Sequence, residues 1–228
     1  MQNIIKIITK GSGGQIAPPK KDQQHKGETH MNCAFCKHHN CYTKGQNCTR
    51  YSHEEAIALY DEQDKDIMTA AAATESRNYL KMTRLEESLF FAQQMGVKKI
   101  GIAFCIGLAN EAKFCAQYFK NAGLAVESVC CKNCSIDKDM LNLEKIKPGQ
   151  REAMCNPKMQ AQLLNEGKTE LNFIVGLCVG HDMIFTKASD APVSSLITKD
   201  RVLANNPAGV VYSRYWRRKL GILEEGTV

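Results

Sequence analysis

Four short apolar runs, separated by helical patterns, constrain this chain more than any other feature. They lie at 99–104 (KIGIAF), 125–129, 171–177 and 193–198. The third is nearly all apolar, the composition of a strand buried on both faces. Between the first two runs, residues 110–121 carry an amphipathic pattern that ends at Gly123. Asn156-Pro157 then caps and starts a helix that runs to about 165 and stops near Gly167. Continuous apolar strands alternating with helices predict an α/β fold: a small doubly wound, mostly parallel sheet of about four strands with flanking helices. A chain of 228 residues is long enough for one such domain and a small appendage.

Upstream, Ser52 and Glu55 form a capping-box pattern that opens a helix toward Asp64. From 76 to 95 the apolar positions Tyr79, Met82, Leu85, Leu89, Phe90 and Met95 recur at helical spacing, and Gly96 stops the run. Residues 1–30 hold Gly11, Gly13, Gly14, Pro18, Pro19 and a polar Lys/Gln stretch with little to bury, the pattern of a flexible leader. The expected organisation is therefore a leader at 1–30, a cysteine module and helix at 31–65, and the α/β domain at 66–228.

Charge and hydropathy exclude several function classes. The surplus of 30 basic over 24 acidic residues is mild and dispersed, which argues against nucleic acid as a partner. The basic segment RYWRRK at 214–219 reads as a solvated helix face around Trp216. No apolar run approaches the ~18 residues that a membrane span needs, and the first residues lack a signal-peptide core. The expectation is a cytoplasmic protein with no membrane partner; oligomeric state is not legible.

Eleven cysteines then become the informative residues. In a reducing compartment, clustered cysteines point to metal or catalysis rather than to disulfides, and an odd count fits a disulfide framework poorly. Cys33, Cys36, Cys41 and Cys48 fall in C-x2-C-x4-C-x6-C spacing among polar residues. The C-x-x-C turn presents two thiolates to one centre, and Gly45 lets the remaining loop close. Four thiolates complete the shell of a structural zinc or an iron–sulfur cluster, and the spacing does not separate the two. His38, His39 and His53 are near enough to replace one ligand.

A second set sits at strand ends. Cys105 ends the first run and Cys178 the third, each followed by a β-branched residue and glycine, so the backbone is expected to turn the same way after both. Cys130 and Cys131 end the second run, Cys134 follows, and Cys155 precedes the Asn156-Pro157 helix start. In an open parallel sheet all carboxyl ends share one edge, where ligands bind. Neighbouring strands are about 4.8 Å apart. Four sulfurs on one zinc, each at about 2.3 Å, would sit roughly 3.8 Å from one another, tighter than next-nearest strands allow. A cubane spreads its ligands further. Cys105, Cys131, Cys155 and Cys178 are thus the expected ligands of a 4Fe–4S cluster, with Cys134 or Cys130 as substitutes. Adjacent strand residues face opposite ways, so Cys130 and Cys131 are not expected to serve together. Cys115, on the apolar face of a helix, reads as a core residue. His181 and Glu111 are the candidate acid/base groups, and Lys132 and Arg151 the candidate counter-charges for an anionic cluster or substrate.

The blocks FCIGLANEAK (104–113), SVCCK (128–132), AMCNP (153–157), GLCVGHDMIF (176–185) and KDRVLANNPAGVVY (199–212) follow the N-terminal four-cysteine module. Together they resemble an uncharacterised family of cysteine-rich metal-binding proteins from anaerobic bacteria and archaea, over about residues 31–215. The resemblance implies metal binding in an anaerobic cytoplasm and no assigned reaction. Its cysteine-rich blocks fall on Cys33, Cys36, Cys41, Cys48, Cys105, Cys131, Cys155 and Cys178, with His181 beside them, and leave Cys134 outside. The expected role is electron transfer or reductive chemistry, with a redox protein or a small molecule as partner. Two alternatives stand: a zinc protein whose N-terminal knuckle is a docking module, and a metal-free thiol enzyme using Cys178 with His181.

Overall fold

In the computed structural model, residues 31–222 are described, and the leader expected at 1–30 lies outside them. Two compact units emerge, one spanning Ser52–Gly209 and the other comprising the described residues before and after it. The larger unit opens with the Ser52 capping box.

In the smaller unit, a short 3-10 turn at Cys33–Phe35 precedes α1 (Asn40–Thr43). No residue from 31 to 51 is buried, as expected of a segment without core-forming side chains. At the other end of the chain, α8 (Gly209–Tyr212) leads to α9 (Arg214–Lys219), where the Lys219 ammonium sits 4.4 Å from the Trp216 ring centre.

The larger unit begins with α2 (His53–Ile57), α3 (Glu62–Asn78) and α4 (Arg84–Gln94). The helix expected without interruption over 76–95 is in fact broken at 79–82. Leu80 takes a left-handed backbone (φ 56°), and Thr83 with Glu86 forms a new capping box. The hydrophobic spacing continued across the break, which is why periodicity alone concealed it.

The sheet comprises β1 (Lys99–Phe104), β2 (Ala125–Cys130), β3 (Leu171–Val175) and β4 (Val193–Ile197), all parallel, in the order β2-β1-β3-β4. Helix α5 (Ala109–Asn121) connects β1 to β2, α6 (Pro157–Glu166) precedes β3, and α7 (His181–Ala188) connects β3 to β4. The chain winds outward from β1 to β2 and then returns past β1 to β3. Parallel crossovers are right-handed, so this reversal shifts the helices to the opposite face. Phe119 of α5 stacks on Phe173 at 5.3 Å on one face, which α3 and α4 also cover. On the other face α6 lies close enough that a Cβ on Gly101 would stand 2.9 Å from Leu164 and would also meet Asn172 Oδ1 of β3. Ile100, Ile102, Phe119, Leu164, Phe173 and Phe185 form the dry centre. The doubly wound α/β architecture is as the apolar runs dictate.

Candidate metal centre at the sheet edge

With strand order 2-1-3-4, the topological switch lies between β1 and β3, and in open α/β sheets ligands bind beyond the carboxyl ends of strands so placed. Three backbone hydrogen bonds bring distant cysteines to this edge. Cys105 N donates to Val175 O (3.1 Å), Cys131 N to Phe104 O (2.8 Å), and Asn156 N to Cys131 O (2.8 Å). The first two prolong the ladder past the strands; the third ties the start of α6 to the end of β2. Gln160 of α6 is fully buried and reinforces the tie, donating Nε2 to Phe104 O (3.2 Å) and Val129 O (2.7 Å).

The side chains converge accordingly. The Cys131 thiol, buried, hydrogen-bonds the half-buried Cys155 sulfur, and its own sulfur accepts from Ile106 N at 3.4 Å. The hydrogen bond from Cys131 holds the Cys155 thiol down at about 5, against the opposing pull of burial and with help from the charges of Lys132 and His181. The same bond, with burial and the nearby Cys155 and Cys105 sulfurs, pushes Cys131 up. The two thiols are thus shifted in opposite directions, Cys155 toward the thiolate and Cys131 toward the thiol. Lys132 Nζ lies 3.5 Å from Cys155 Sγ and also donates to Ala153 O at 2.6 Å.

Cys178 stands on the adjoining loop, where Arg201 donates to its sulfur at 3.0 Å. The expectation that the chain turns alike after Cys105 and Cys178 is corrected. Cys105 directly follows β1, whereas β3 stops at Val175 and Gly176 turns left-handed (φ 66°), two residues before Cys178. Leu108 of the β1 loop packs where a side chain on Gly176 would stand, so both the space and the backbone there require glycine. Gly180 is left-handed (φ 88°), and Gly107 is not.

The remaining expected residues sort clearly. His181 opens α7 and acts on Cys155. Glu111 is exposed on the first turn of α5, and the thiol whose charge it opposes is Cys115, one turn along. Cys115 is buried and its thiol is pushed up by burial, as a core residue should be. Arg151 does not serve the thiols; its guanidinium is engaged by Ser135 O (2.7 Å) and Ser135 Oγ (2.9 Å). Cys130 accepts from Lys132 N at 3.5 Å, and Cys134 is exposed in a left-handed turn.

In the smaller unit Cys33, Cys36, Cys41 and Cys48 are all exposed free thiols. His39 N donates to Cys36 Sγ at 3.4 Å, and Cys48 Sγ donates to Gln46 O at 3.6 Å. Among the described residues, no three or more His, Cys, Asp or Glu side chains are disposed to hold a single metal ion, at either cysteine set. A cleft of about 510 Å³ between α3, α4 and the beginnings of β3 and β4 is lined by residues such as Thr74, Arg84, Phe91 and Phe173 and by no cysteine.

Two groups at the edge escaped sequence reasoning: Lys199 and Arg201. The usable signal was their position directly after β4, since whatever follows a strand in a parallel sheet starts at the same edge.

Fold and site together define a four-stranded parallel α/β protein with a group of thiols beside its topological switch. The chain belongs to the family of proteins of unknown function DUF1847, whose model matches residues 43–196. It is similar to an uncharacterised protein of Methanocaldococcus jannaschii, 49% identical over 191 residues, which covers 83% of this chain and 98% of that one. No solved structure matches the chain.

Proposed function

We propose that this is an iron–sulfur protein. Cys105, Cys131, Cys155 and Cys178 would hold one 4Fe–4S cluster at the sheet edge for electron transfer or reductive chemistry on a small substrate. The observation that carries the reading is the gathering of Cys105, Cys131 and Cys155 from three separate segments, beside Lys132 and Arg201, neither of which lies within ion-pair distance of a carboxylate among the described residues. The five ion pairs among the described residues all lie elsewhere, so Lys132 and Arg201 face sulfur rather than carboxylate. A thiolate-ligated cluster is anionic, and positive groups at its sulfurs raise its potential and hold it. Soft thiolate donors suit iron–sulfur chemistry, and a bound cluster supplies reversible one-electron transfer. Ile106 and Val179, which follow Cys105 and Cys178, are 52% and 81% exposed, so a redox partner or substrate can reach this edge. Cys33, Cys36, Cys41 and Cys48 supply a further four thiolates, for a second cluster or a structural zinc.

Analysis of iron and acid-labile sulfide, with electron paramagnetic resonance on protein kept from air, tests the reading. Brown protein is expected. Cys105→Ser and Cys155→Ser should each remove the iron of one cluster and leave that of any N-terminal one. Colourless protein with stoichiometric zinc, or iron content untouched by both substitutions, would overturn it.

The contact between Cys131 and Cys155 favours one second reading, a dithiol redox pair. The Cys155 thiolate would attack a partner's disulfide, and Cys131, losing its proton, would displace the partner as a dithiol and leave a Cys131–Cys155 disulfide. Iron-free protein that forms this disulfide reversibly would select it.

A further inference from the structure

We infer that Lys199 and Arg201 form a binding site for a small oxyanion, carboxylate or phosphate, across the β1–β3 crevice. The inference deepens the iron–sulfur reading by naming the substrate class, and it rests on that reading only for the chemistry that follows binding.

The segment after β4 turns back over the carboxyl edge instead of leaving it. Asp200 fixes this turn by spending its Oδ1 on the amides of Val202 and Leu203, both at 2.8 Å, while Asn205 Oδ1 accepts from Asp200 N at 3.2 Å. Asp200 thus turns one oxygen to its own backbone and forms no ion pair with either neighbouring cation. Arg201 reaches the β3 loop, where it lies 3.0 Å from Cys178 Sγ. Lys199 reaches the β1 loop, where a Cβ built on Gly107 would stand 3.3 Å from its Nζ and 3.9 Å from Cys105 Sγ. The two loops leave neighbouring strands, so one turn presents one positive group to the β1 loop and the other to the β3 loop. Among the described residues neither cation pairs with a carboxylate.

Uncompensated cations in a crevice raise the local concentration of anions. A guanidinium fork beside an ammonium matches the paired oxygens of a carboxylate or phosphate better than it matches one sulfur. Gly107 contributes by absence, since a side chain there would crowd the Lys199 ammonium. The anion so held would lie between Cys105 and Cys178, against the face where a cluster would present an edge.

The test is calorimetric titration of sodium phosphate and, separately, sodium acetate into anaerobically prepared protein, with iron and sulfide assayed on the same samples. One of the two anions should bind saturably, and which one separates the tetrahedral from the planar class. The K199A/R201A double variant should weaken binding at least about tenfold at unchanged iron content. R201K should retain part of the affinity, and K187A, exposed on α7, all of it. Should the double variant fold poorly or lose iron, R201Q and cluster-free wild type provide the comparison. Absence of binding by either anion, or equal affinity in wild type and variants, overturns the inference. Binding through Lys199 and Arg201 in protein that never carries iron would preserve the inference and refute the cluster.

Discussion

Replacing Gln160 with leucine tests whether the thiol edge is held from beneath. Gln160 is fully buried, and its Nε2 joins Phe104 O at 3.2 Å to Val129 O at 2.7 Å, just before Cys105 and Cys131. Leucine fills nearly the same space and donates nothing. Phe104 O keeps the amide of Cys131 at 2.8 Å, and the parallel register leaves Val129 O facing the amide of Phe104, so neither carbonyl is emptied. Two lost hydrogen bonds at about 1 kcal/mol each amount to about 2 kcal/mol. Removal of Gln160 Oε1, which has no partner among the described residues, returns part of this. The net expectation is destabilisation by about 1 kcal/mol. That corresponds to a urea midpoint lowered by ~0.5 M, or a melting temperature lowered by roughly 2–4 °C. Iron occupancy at the sheet edge should fall as well, because the same bonds set the spacing of Cys105 and Cys131. The matched control, Gln162→Leu on the exposed side of α6, should stay within about 0.5 kcal/mol of wild type. A Q160L protein as stable as that control, with full iron, would refute this account of how the edge is held.

Three further outcomes follow from other parts of the molecule. Gly101→Ala should destabilise by about 1–3 kcal/mol in urea titration, since the added methyl meets Asn172 Oδ1 and Leu164 and α6 must withdraw. In cluster-free protein, iodoacetamide should label Cys155 first, at a rate that climbs as pH rises through about 5, and Lys132→Met should shift that rise to higher pH. The Cys155 value in the fold lies below its unfolded one, so its contribution to stability is complete above the ordinary thiol range and is lost as pH falls through about 5; Cys131, pushed up, opposes it only at the alkaline end. Finally, the loop at 137–152 should open in acid. Hydrogen bonds from Asp139 N and Lys145 hold Asp137 below its usual value, and those from Lys138 and Ile146 N do the same for Glu152. Their contribution is present above the usual carboxylate range and is lost as pH falls through the lowered values. Amide exchange in that loop, corrected for intrinsic rate, should accelerate between about pH 6 and 3.

The amino-acid sequence determined the strands, most helix ends and the parallel class, because each is a local signal. KIGIAF matches β1 residue for residue, Asn156 caps α6 through Met159 N, and Ser52 closes its capping box. It also determined that cysteines would accumulate at one edge, since every strand of a parallel sheet ends there. Which of them meet was decided only in three dimensions. The order 2-1-3-4 set Cys105 between its neighbours, and the excursion from Lys132 to Asn156 returned Cys155 to Cys131 through the Asn156 N–Cys131 O bond and the Lys132 bond to Ala153 O. Gly176 ends β3 in a left-handed turn, and Leu108 of another loop fills the space a side chain there would need. Arg151 was diverted to Ser135, and Lys199 and Arg201 arrived in its stead through a turn whose direction no spacing encodes. Patterns of period two or 3.6 report neighbours along the chain. The partners of a thiol or a cation are chosen by packing among segments remote in sequence, and periodicity carries no record of that choice.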